Sequence, residues 1–305
     1  MCFMTTTVSD MVSLLDKVAP AGLAEDWDNV GLQIGDFRRP VQSVWVALDP
    51  SLEVVQAACR ENIDLLITHH PLIFRPLNSI DYQTPTGMIV ELAIKNHLAV
   101  VAAHTNLDSV AGGINDILAR RIGLEDLRPL VPTDQLKHFQ YDEIKDRVAA
   151  QKRIQHDQQI EYDVLPLVAH NPQHGIGRIG YLETGMDLKS FALMVKKKLD
   201  LKSVKYAGNP ALPITKAAVC SGSGGGLLAN FLASDAHVYV SGDLRYHDAR
   251  DTEASNRGII DIGHFSSEYI IVAELTDRLK AMVAECHLDA TVDACKLEKD
   301  PFTFI

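Results

Sequence analysis

Residues 64–71 read Asp-Leu-Leu-Ile-Thr-His-His-Pro, and this stretch decides the fold. Its apolar residues predict a short buried strand that ends abruptly at two histidines and a proline. The next apolar run, Leu98 to Ala103, predicts a second strand of the same kind. Between the two, Thr84 and Pro85 are typical of an N-cap and of the first position of a helix. A strand, a helix and a strand in this order indicate a largely parallel, covered sheet.

The same alternation of strands and helices continues through most of the chain. In the first half, Val44 to Leu48 predicts an earlier strand, and the apolar stripe from Ile114 to Ile122 predicts a helix. In the second half, a long helix is predicted along the face that runs from Ile271 to Cys286. Further strands are predicted at Ile176–Leu182, Ile214–Cys220, His237–Val240, Ile259–Ile262 and Val292–Leu297. The expected fold class is therefore α/β.

The alternation is interrupted between residues 131 and 175, where the sequence is polar and carries three prolines. We expect this stretch to be an insertion or a connection, with a partial helix near Tyr141–Gln151. Residues 1–130 then form an N-terminal α/β part, and residues 176–305 form a C-terminal α/β part that completes the site. A chain of 305 residues suits one large domain or two lobes of ordinary size.

Composition disfavours several classes of protein. The net charge of -11 opposes binding to a nucleic-acid backbone, although one nucleotide could still be a substrate. The densest basic run, Lys196–Lys198, is expected to be a solvated helix face. No apolar run approaches the ~18 residues of a membrane span, and Met1–Asp10 does not read as a signal peptide, so we expect a cytoplasmic protein. The five cysteines form no CxxC pair, which argues against a disulfide framework and a thiolate zinc site.

Imidazoles and carboxylates follow three of the predicted strands, where α/β sheets place their functional sites. The residues concerned are His69, His70, His104, Asp108, His264 and Glu268. A single histidine there is more often a hydrogen-bonded structural residue, and a single aspartate is more often a cap or turn residue. Because the pattern recurs at three strand ends, we favour a metal site. Mixed imidazole and carboxylate ligands without cysteine suit zinc, manganese or iron.

The spacing of these residues suits a pair of ions. Adjacent strand residues point to opposite faces, so His69 and His70 can each bind a different ion at the strand end. Glu268 lies four residues after His264, so its carboxylate can bridge two cations while the imidazole binds one of them. Dinuclear hydrolytic sites hold their ions about 3.5–4 Å apart, and a bridging carboxylate lowers the repulsion between them.

Two further stretches admit more than one interpretation. Gly222–Gly226 precedes a predicted helix, so it could face a phosphate with its amides or form a tight turn between strand and helix. It lacks the lysine of a P-loop and the full dinucleotide fingerprint. Trp27–Leu32 could be a turn with an aromatic anchor or a loop that reaches the site, and of these we favour the turn.

Six short motifs together resemble one known family. They are Asp28-Asn29-Val30-Gly31-Leu32, Thr68-His69-His70-Pro71, His104-Thr105-Asn106-Leu107-Asp108, Gly177-Arg178-Ile179-Gly180, Ser241-Gly242-Asp243 and His264-Phe265-Ser266-Ser267-Glu268. In this order, and over nearly the whole chain, they are similar to the NIF-three-like family (NGG-one-interacting factor three). Members of that family also carry the name GTP cyclohydrolase 1 type 2 homolog. Residues 131–175 look too short for the extra domain of its longer members.

The resemblance implies two α/β lobes of three-layer α/β/α character, with a dinuclear metal centre between them. It implies that Glu268 bridges the two ions and that His104 lies beside the centre without binding them. The full set of implied ligands is His69, His70, Asp108, His264 and Glu268. It also implies a toroidal homohexamer, built as a trimer of dimers, whose metal sites face an internal cavity.

Two classes of function follow. The first is a metal-dependent hydrolase that acts on a nucleotide or a related heterocycle, for example by opening the purine ring of GTP. In such an enzyme, His104 or His247 could move protons. The second is a non-catalytic metal-binding protein with a regulatory or scaffold role, whose ions stabilise an assembly or sense metal supply.

Overall fold

The computed structural model describes residues 5–133 and 171–303, which form two sheets covered by helices. The strands are β1 Gly31–Ile34, β2 Ser43–Ala47, β3 Leu65–Thr68, β4 Ala99–Ala102, β5 Leu124–Pro132, β6 Gly175–Asp187, β7 Lys205–Ala207, β8 Pro213–Ser223, β9 Val238–Gly242, β10 Gly258–Asp261 and β11 Thr291–Ala294. The helices are α1 Val8–Val18, α2 Leu52–Arg60, α3 Pro85–Lys95, α4 Thr105–Ser109, α5 Ile114–Arg121, α6 Leu188–Lys198, α7 Leu228–Ala233, α8 Tyr246–Ala254, α9 His264–Glu268 and α10 Ile270–Glu285. The helix predicted near Tyr141–Gln151 lies outside the described residues.

The first sheet is built around the strand from which the sequence argument began. Its order is β1-β4-β3-β2-β11, and every neighbouring pair is parallel except β1 and β4. All four residues of the central strand β3 are buried, and Leu66 lies between Trp45 of β2 and Val100 of β4. Residues of α1 and α10 pack on one face, and residues of α2 and α3 pack on the other. Burial on both faces explains why β3 is a continuous apolar run.

The second sheet is mixed. Its order is β5-β6-β8-β9-β10-β7, in which only β8, β9 and β10 are mutually parallel. The expectation of a largely parallel sheet therefore applies to the first sheet and to the middle of the second. Sequence reasoning missed β5 because Pro129, Pro132 and several exposed polar residues hide its pattern. Proline is tolerated there because β5 is an edge strand.

The two sheets are not formed by two continuous stretches of the chain. Most of β5 precedes position 130 but pairs in the second sheet, whereas β11 near the C-terminus pairs in parallel with β2 of the first. The long helix α10 packs on the first sheet and delivers β11 to its edge. Periodicity reports that a strand is buried but not which sheet it joins. The division of the chain into two lobes, residues 1–130 and 176–305, joined by an insertion or connection at residues 131–175, therefore stays a prediction.

Arg178 connects the second sheet to the segment that carries Asp108. Its guanidinium is almost fully buried, and it donates hydrogen bonds to Asp116 Oδ2 at 2.6 Å and to the backbone carbonyl of Val110 at 3.0 Å. It also donates to the carbonyls of Gly175 and Gly177. A buried charge needs this many partners, and the partners fix α4 and α5 against β6. Within residues 5–133 and 171–303, none of the helices combines the length and apolarity that crossing a bilayer requires.

Candidate metal centre

Three strand ends bring the predicted ligands to one place, and both sheets contribute. His69 and His70 directly follow β3, and Asp108 lies on α4 directly after β4. His264 and Glu268 are the first and last residues of α9, which follows β10 of the second sheet. Nε2 of His69 lies 3.9 Å from Asp108 Oδ1 and 3.6 Å from Glu268 Oε1. The five side chains that the sequence singled out as ligands thus form one cluster around Glu268.

The carboxylate of Glu268 faces imidazoles through both of its oxygens. Oε1 is the atom near His69, whereas Oε2 lies 3.0 Å from Nε2 of His70 and 3.0 Å from Nε2 of His264. The side chain is 5% exposed. A side chain at Gly222 would overlap Oε1, and Gly222 has a φ of +63°, so only glycine suits this position. The backbone of β8 therefore forms one wall of the centre.

Two atoms of this cluster are buried without a hydrogen-bond partner among the described residues, namely His69 Nε2 and Glu268 Oε2. His70 and His264 come close to Glu268 Oε2 but approach it outside hydrogen-bonding geometry. Their two Nε2 atoms lie 3.4 Å apart. Leaving a buried polar atom unsatisfied costs about 1–3 kcal/mol. Nitrogen and oxygen donors that converge in this way fit divalent cations, which would satisfy all of them.

The other ring nitrogen of each histidine is already used. Nδ1 of His70 lies 2.7 Å from Asp49 Oδ1, and Nδ1 of His264 lies 2.7 Å from Asp243 Oδ2. In His69, Nδ1 lies 2.9 Å from a backbone carbonyl oxygen. Because carbonyl and carboxylate oxygens only accept, Nδ1 carries a proton in all three rings, and the neutral ring offers the lone pair of Nε2. Metal-binding histidines in proteins are held in this way.

The carboxylates and the histidines of the cluster shift each other's pKa values. Burial lowers the pKa of His70, but the carboxylates of Asp49 and Glu268 outweigh it and raise that pKa to about 10. The Glu268 carboxylate also raises the pKa of His264 to about 9. Burial raises the pKa of Asp108, whereas at Glu268 the histidines outweigh burial and hold the pKa well below its usual range. His70 and His264 of the metal-free centre are thus protonated at neutral pH, and a metal ion that binds them would have to displace those protons.

His104 lies beside the cluster. One of its ring nitrogens lies within 4.8 Å of ligand atoms of His69 and His70. Its Nδ1 lies 2.9 Å from Asp28 Oδ1, and Asp28 also accepts hydrogen bonds from the backbone amide and hydroxyl of Thr105. Burial raises the pKa of Asp28, but His104 and Thr105 outweigh it and lower that pKa to about 2. Asp28 is therefore ionised, and it orients His104 towards the centre.

This network corrects the interpretation of Trp27–Leu32 that we favoured from sequence. The indole of Trp27 is 58% exposed, so it does not anchor a turn in the core. The buried Asp28 instead connects the loop to His104. Residues 27–30 are a loop that reaches the site, and β1 begins at Gly31; the sequence could not show this because the partner of Asp28 is distant along the chain.

The remaining predicted residues lie in different surroundings. His247 is exposed on α8, where its ring contacts Tyr246, and no contact in the described part of the chain joins it to the cluster. Gly222 and Ser223 end β8, and Gly224–Leu227 forms a short 3-10 helix before α7. Gly222 borders the centre through Glu268, and whether the rest of the glycine run binds a ligand stays a prediction.

Sequence reasoning assigned no role to several residues that support the ligands. Asp49 follows β2, and Asp243 follows β9, so both lie at strand ends like the predicted ligands. Ser221 donates a hydrogen bond of 3.3 Å to Asp108 Oδ1. Their position after apolar runs was the available signal, but an aspartate there is usually a cap or turn residue.

Comparison with known proteins shows which proteins this chain is similar to. Residues 6–301 match the family described as Duf34/NIF3 (NGG1p interacting factor 3). The protein named GTP cyclohydrolase 1 type 2 homolog from Halalkalibacterium halodurans is 30% identical, over 97% of this chain and 98% of its own. A crystal structure of a Bacillus cereus protein related to NIF3 is 28% identical with a TM-score of 0.83, over 99% of this chain and all of that one. The Staphylococcus aureus hypothetical protein SA1388 is 31% identical with a TM-score of 0.82, over 99% of this chain and all of that one.

The family match spans both sheets and every residue of the cluster, and the solved relatives share the mixed α/β fold with its two sheets. The resemblance drawn from the six motifs is thereby confirmed, and this chain belongs to the Duf34/NIF3 (NGG1p interacting factor 3) family.

Proposed function

We propose that this protein holds two divalent metal ions and uses them to hydrolyse a nucleotide-like substrate. The observation that carries the proposal is the position of Glu268, whose two oxygens face different histidines. One ion would be bound by His69, Asp108 and Glu268, and the other by His70, His264 and Glu268. Zinc, manganese and iron all suit such donors. The name GTP cyclohydrolase 1 type 2 homolog, which relatives carry, supports a nucleotide-like substrate.

In such a hydrolase, the metal ions and the residues around them would have different roles. Two bound ions would supply Lewis acidity and a water of lowered pKa. The negative charge of Glu268 would offset the repulsion between the ions, and Asp49 and Asp243 would hold the rings of His70 and His264 in place. His104 keeps one nitrogen on Asp28, so its other nitrogen is free to accept or deliver a proton near the substrate. His247 is the second candidate for proton transfer.

A non-catalytic role, as a metal-binding regulatory or scaffold protein, is the second candidate function. It is favoured because the residues of β8 beside the cluster supply no activated nucleophile. The thiol of Cys220 is buried, and burial raises its pKa to about 12, so it does not supply a thiolate. The neighbouring Ser221 hydroxyl is engaged with Asp108. In this role the ions would stabilise an assembly, which we propose to be a toroidal homohexamer arranged as a trimer of dimers.

Turnover by the metal-reconstituted protein, measured over a panel of nucleotides that includes GTP, tests the two candidates. The hydrolase requires a product that appears with zinc, manganese or iron and is lost in Asp108→Ala. The matched control is Asp235→Ala, which removes an exposed carboxylate paired with Lys216 and Arg128 in the second sheet. Full metal loading without turnover of any nucleotide would instead favour the regulatory or scaffold role.

A further inference from the structure

Two large aromatic side chains lie exposed beside the candidate metal centre. Trp27 is 58% exposed and Phe74 is 46% exposed. Their ring centroids are 5.6 Å apart, and the rings are inclined by 59°, so they form an open angle and not a closed stack. Large apolar side chains that remain in water next to one another usually mark a binding surface.

The two rings continue into the metal centre through His104. The centroid of His104 lies 6.1 Å from that of Trp27 and 6.4 Å from that of Phe74, edge-on in both cases. The same imidazole lies 5.1 Å from His69 and 5.6 Å from His70. A ligand that contacts the exposed rings would therefore be separated from the predicted metal ligands only by the side chain of His104.

Hydrogen bonds in both directions connect the two loops that carry Trp27 and Phe74. Asn29 donates a hydrogen bond of 2.6 Å to the carbonyl of Ile73, next to Phe74. Gln33 donates to the carbonyl of Asn29 at 2.8 Å and accepts from the amide of Ile73 at 3.2 Å. Asp28, which is buried and directly follows Trp27, is fixed by His104 and Thr105. The loops are thus tied to each other and to the centre, so the exposed rings are preorganised.

We propose that Trp27 and Phe74 form a stacking surface for a planar aromatic heterocycle, such as the base of a purine nucleoside, whose polar substituents reach the metal centre. This inference rests on the proposed function, since it names the part of the chain that would recognise the base. An aromatic face accepts a base largely without regard to its hydrogen-bonding pattern, because every base offers a π-face. The indole of Trp27 is 58% exposed and is not stacked on Phe74, so it is accessible for such contact.

Fluorescence of Trp27 reports directly on occupation of this surface. The chain has two tryptophans, and in Trp45→Phe the indole of Trp27 remains as the single reporter. Guanosine should quench its emission in a saturable way, in both metal-free and metal-loaded protein, whereas ribose 5-phosphate should not. Acrylamide should quench Trp27 in the ligand-free protein. An indole shielded from acrylamide would mean that a second copy of the chain covers the surface, which would overturn the proposal.

Equilibrium dialysis measures guanosine affinity in variants that keep Trp45, so each variant can be compared directly with the wild type. Trp27→Leu should weaken binding about 5- to 150-fold, the range found for loss of one stacking contact. Phe74→Leu should act in the same direction, and Trp27→Phe should keep most of the affinity because a ring remains. The control is Tyr181→Leu, another exposed aromatic side chain, which lies on β6 against Lys216.

Failure of this inference is distinguishable from failure of the hydrolase. Guanosine binding that depends on Trp27, without turnover of any nucleotide, would keep the stacking surface and remove the catalytic proposal. Turnover whose KM is unchanged in Trp27→Leu would keep the enzyme and overturn the stacking surface. Equal affinity of Trp27→Leu and wild type for guanosine, or no binding at millimolar concentration, would overturn it as well.

Discussion

Glu298 holds the backbone of Asp49 in place from the far end of the chain. Its Oε1 accepts a hydrogen bond of 2.7 Å from the amide of Asp49, and its Oε2 accepts one of 2.8 Å from the amide of Leu48. Asp49 in turn holds Nδ1 of His70 at 2.7 Å. The C-terminal segment after β11 therefore positions a predicted metal ligand that lies at the end of β3.

This chain of contacts predicts a graded loss of metal affinity. Residues that orient metal-binding histidines typically contribute 10- to 100-fold to affinity, so Asp49→Ala should weaken the ion bound by His70 by about that factor. Glu298→Gln should weaken the same ion less, because it acts only through Asp49. The measurement is a calorimetric titration of the metal-free protein with zinc. Glu285→Gln, an exposed glutamate at the end of α10, is the control, and equal effects of Glu285→Gln and Glu298→Gln would contradict the prediction.

The predicted pair of ions leads to a second test. If His69 and His70 serve different ions, His69→Ala and His70→Ala should each weaken one ion and leave the other near wild-type affinity. Wild-type protein should carry close to two divalent ions per chain by metal analysis. Absence of both ions after reconstitution with zinc, manganese or iron would remove the site altogether.

The strands, and the clustering of the predicted ligands at their ends, were predictable because they depend on local signals. The run from Leu65 to Thr68 is buried on both faces, so its apolar residues report a central strand directly. The ligands follow such strands, and the carboxyl ends of parallel strands meet at one edge of a sheet. His69 and Asp108 could therefore be assigned together before any distance was known.

The parts that escaped prediction depend on contacts between distant segments. The strand β11 joins the first sheet and not the second, because α10 packs on the first sheet and carries the chain back to β2. Asp28 and Glu298 act on residues far away in the sequence, and neither has a local pattern that names its partner. Tertiary contacts of this kind leave no periodic trace in one sequence.

The stability of the metal-free protein should fall as the pH rises from neutral to alkaline. The folded pKa values of His70 and His264, about 10 and about 9, exceed the value of about 6.5 that an unfolded histidine has. Their contribution to stability is therefore fully present below about pH 6.5 and is lost as the pH rises through 9 to 10. Thermal unfolding of metal-free protein across this range measures it, and His70→Gln should flatten the dependence.

Metal affinity should show the opposite trend over the same window. Because protons must leave His70 and His264 before a metal ion binds, manganese affinity should increase with pH until about pH 9 to 10. Competition titrations at several pH values measure this. Affinity that is independent of pH between 6.5 and 9 would mean that these histidines do not bind the ion.

The proposed ring assembly is a fifth prediction. Light scattering of wild-type protein at micromolar concentration should give a mass near that of six chains, each of 33.6 kDa. The expectation rests on the resemblance to the family. A clean monomer at that concentration would contradict it.

The last prediction concerns Glu268, which should matter more than any one imidazole. Glu268→Gln keeps the size of the side chain and one acceptor oxygen, but it removes the negative charge that faces His69 on one side and His70 and His264 on the other. Two divalent ions a few ångströms apart would then repel each other with less compensation, so the second ion should bind far more weakly. Loss of one imidazole removes one donor from one ion and leaves the shared charge in place.

A purely structural account of Glu268 predicts a different outcome. As the last residue of the short helix α9, its carboxylate lies at the end that the helix dipole makes unfavourable for a negative charge, so on this account Glu268→Gln would not lower stability through the dipole and would leave metal content alone. Titration of metal-free Glu268→Gln with zinc or manganese, beside His264→Ala as the comparison, separates the two accounts. A stoichiometry of two ions at wild-type affinity in Glu268→Gln would show that the carboxylate does not bridge, because a bridge cannot lose its charge without weakening the second ion.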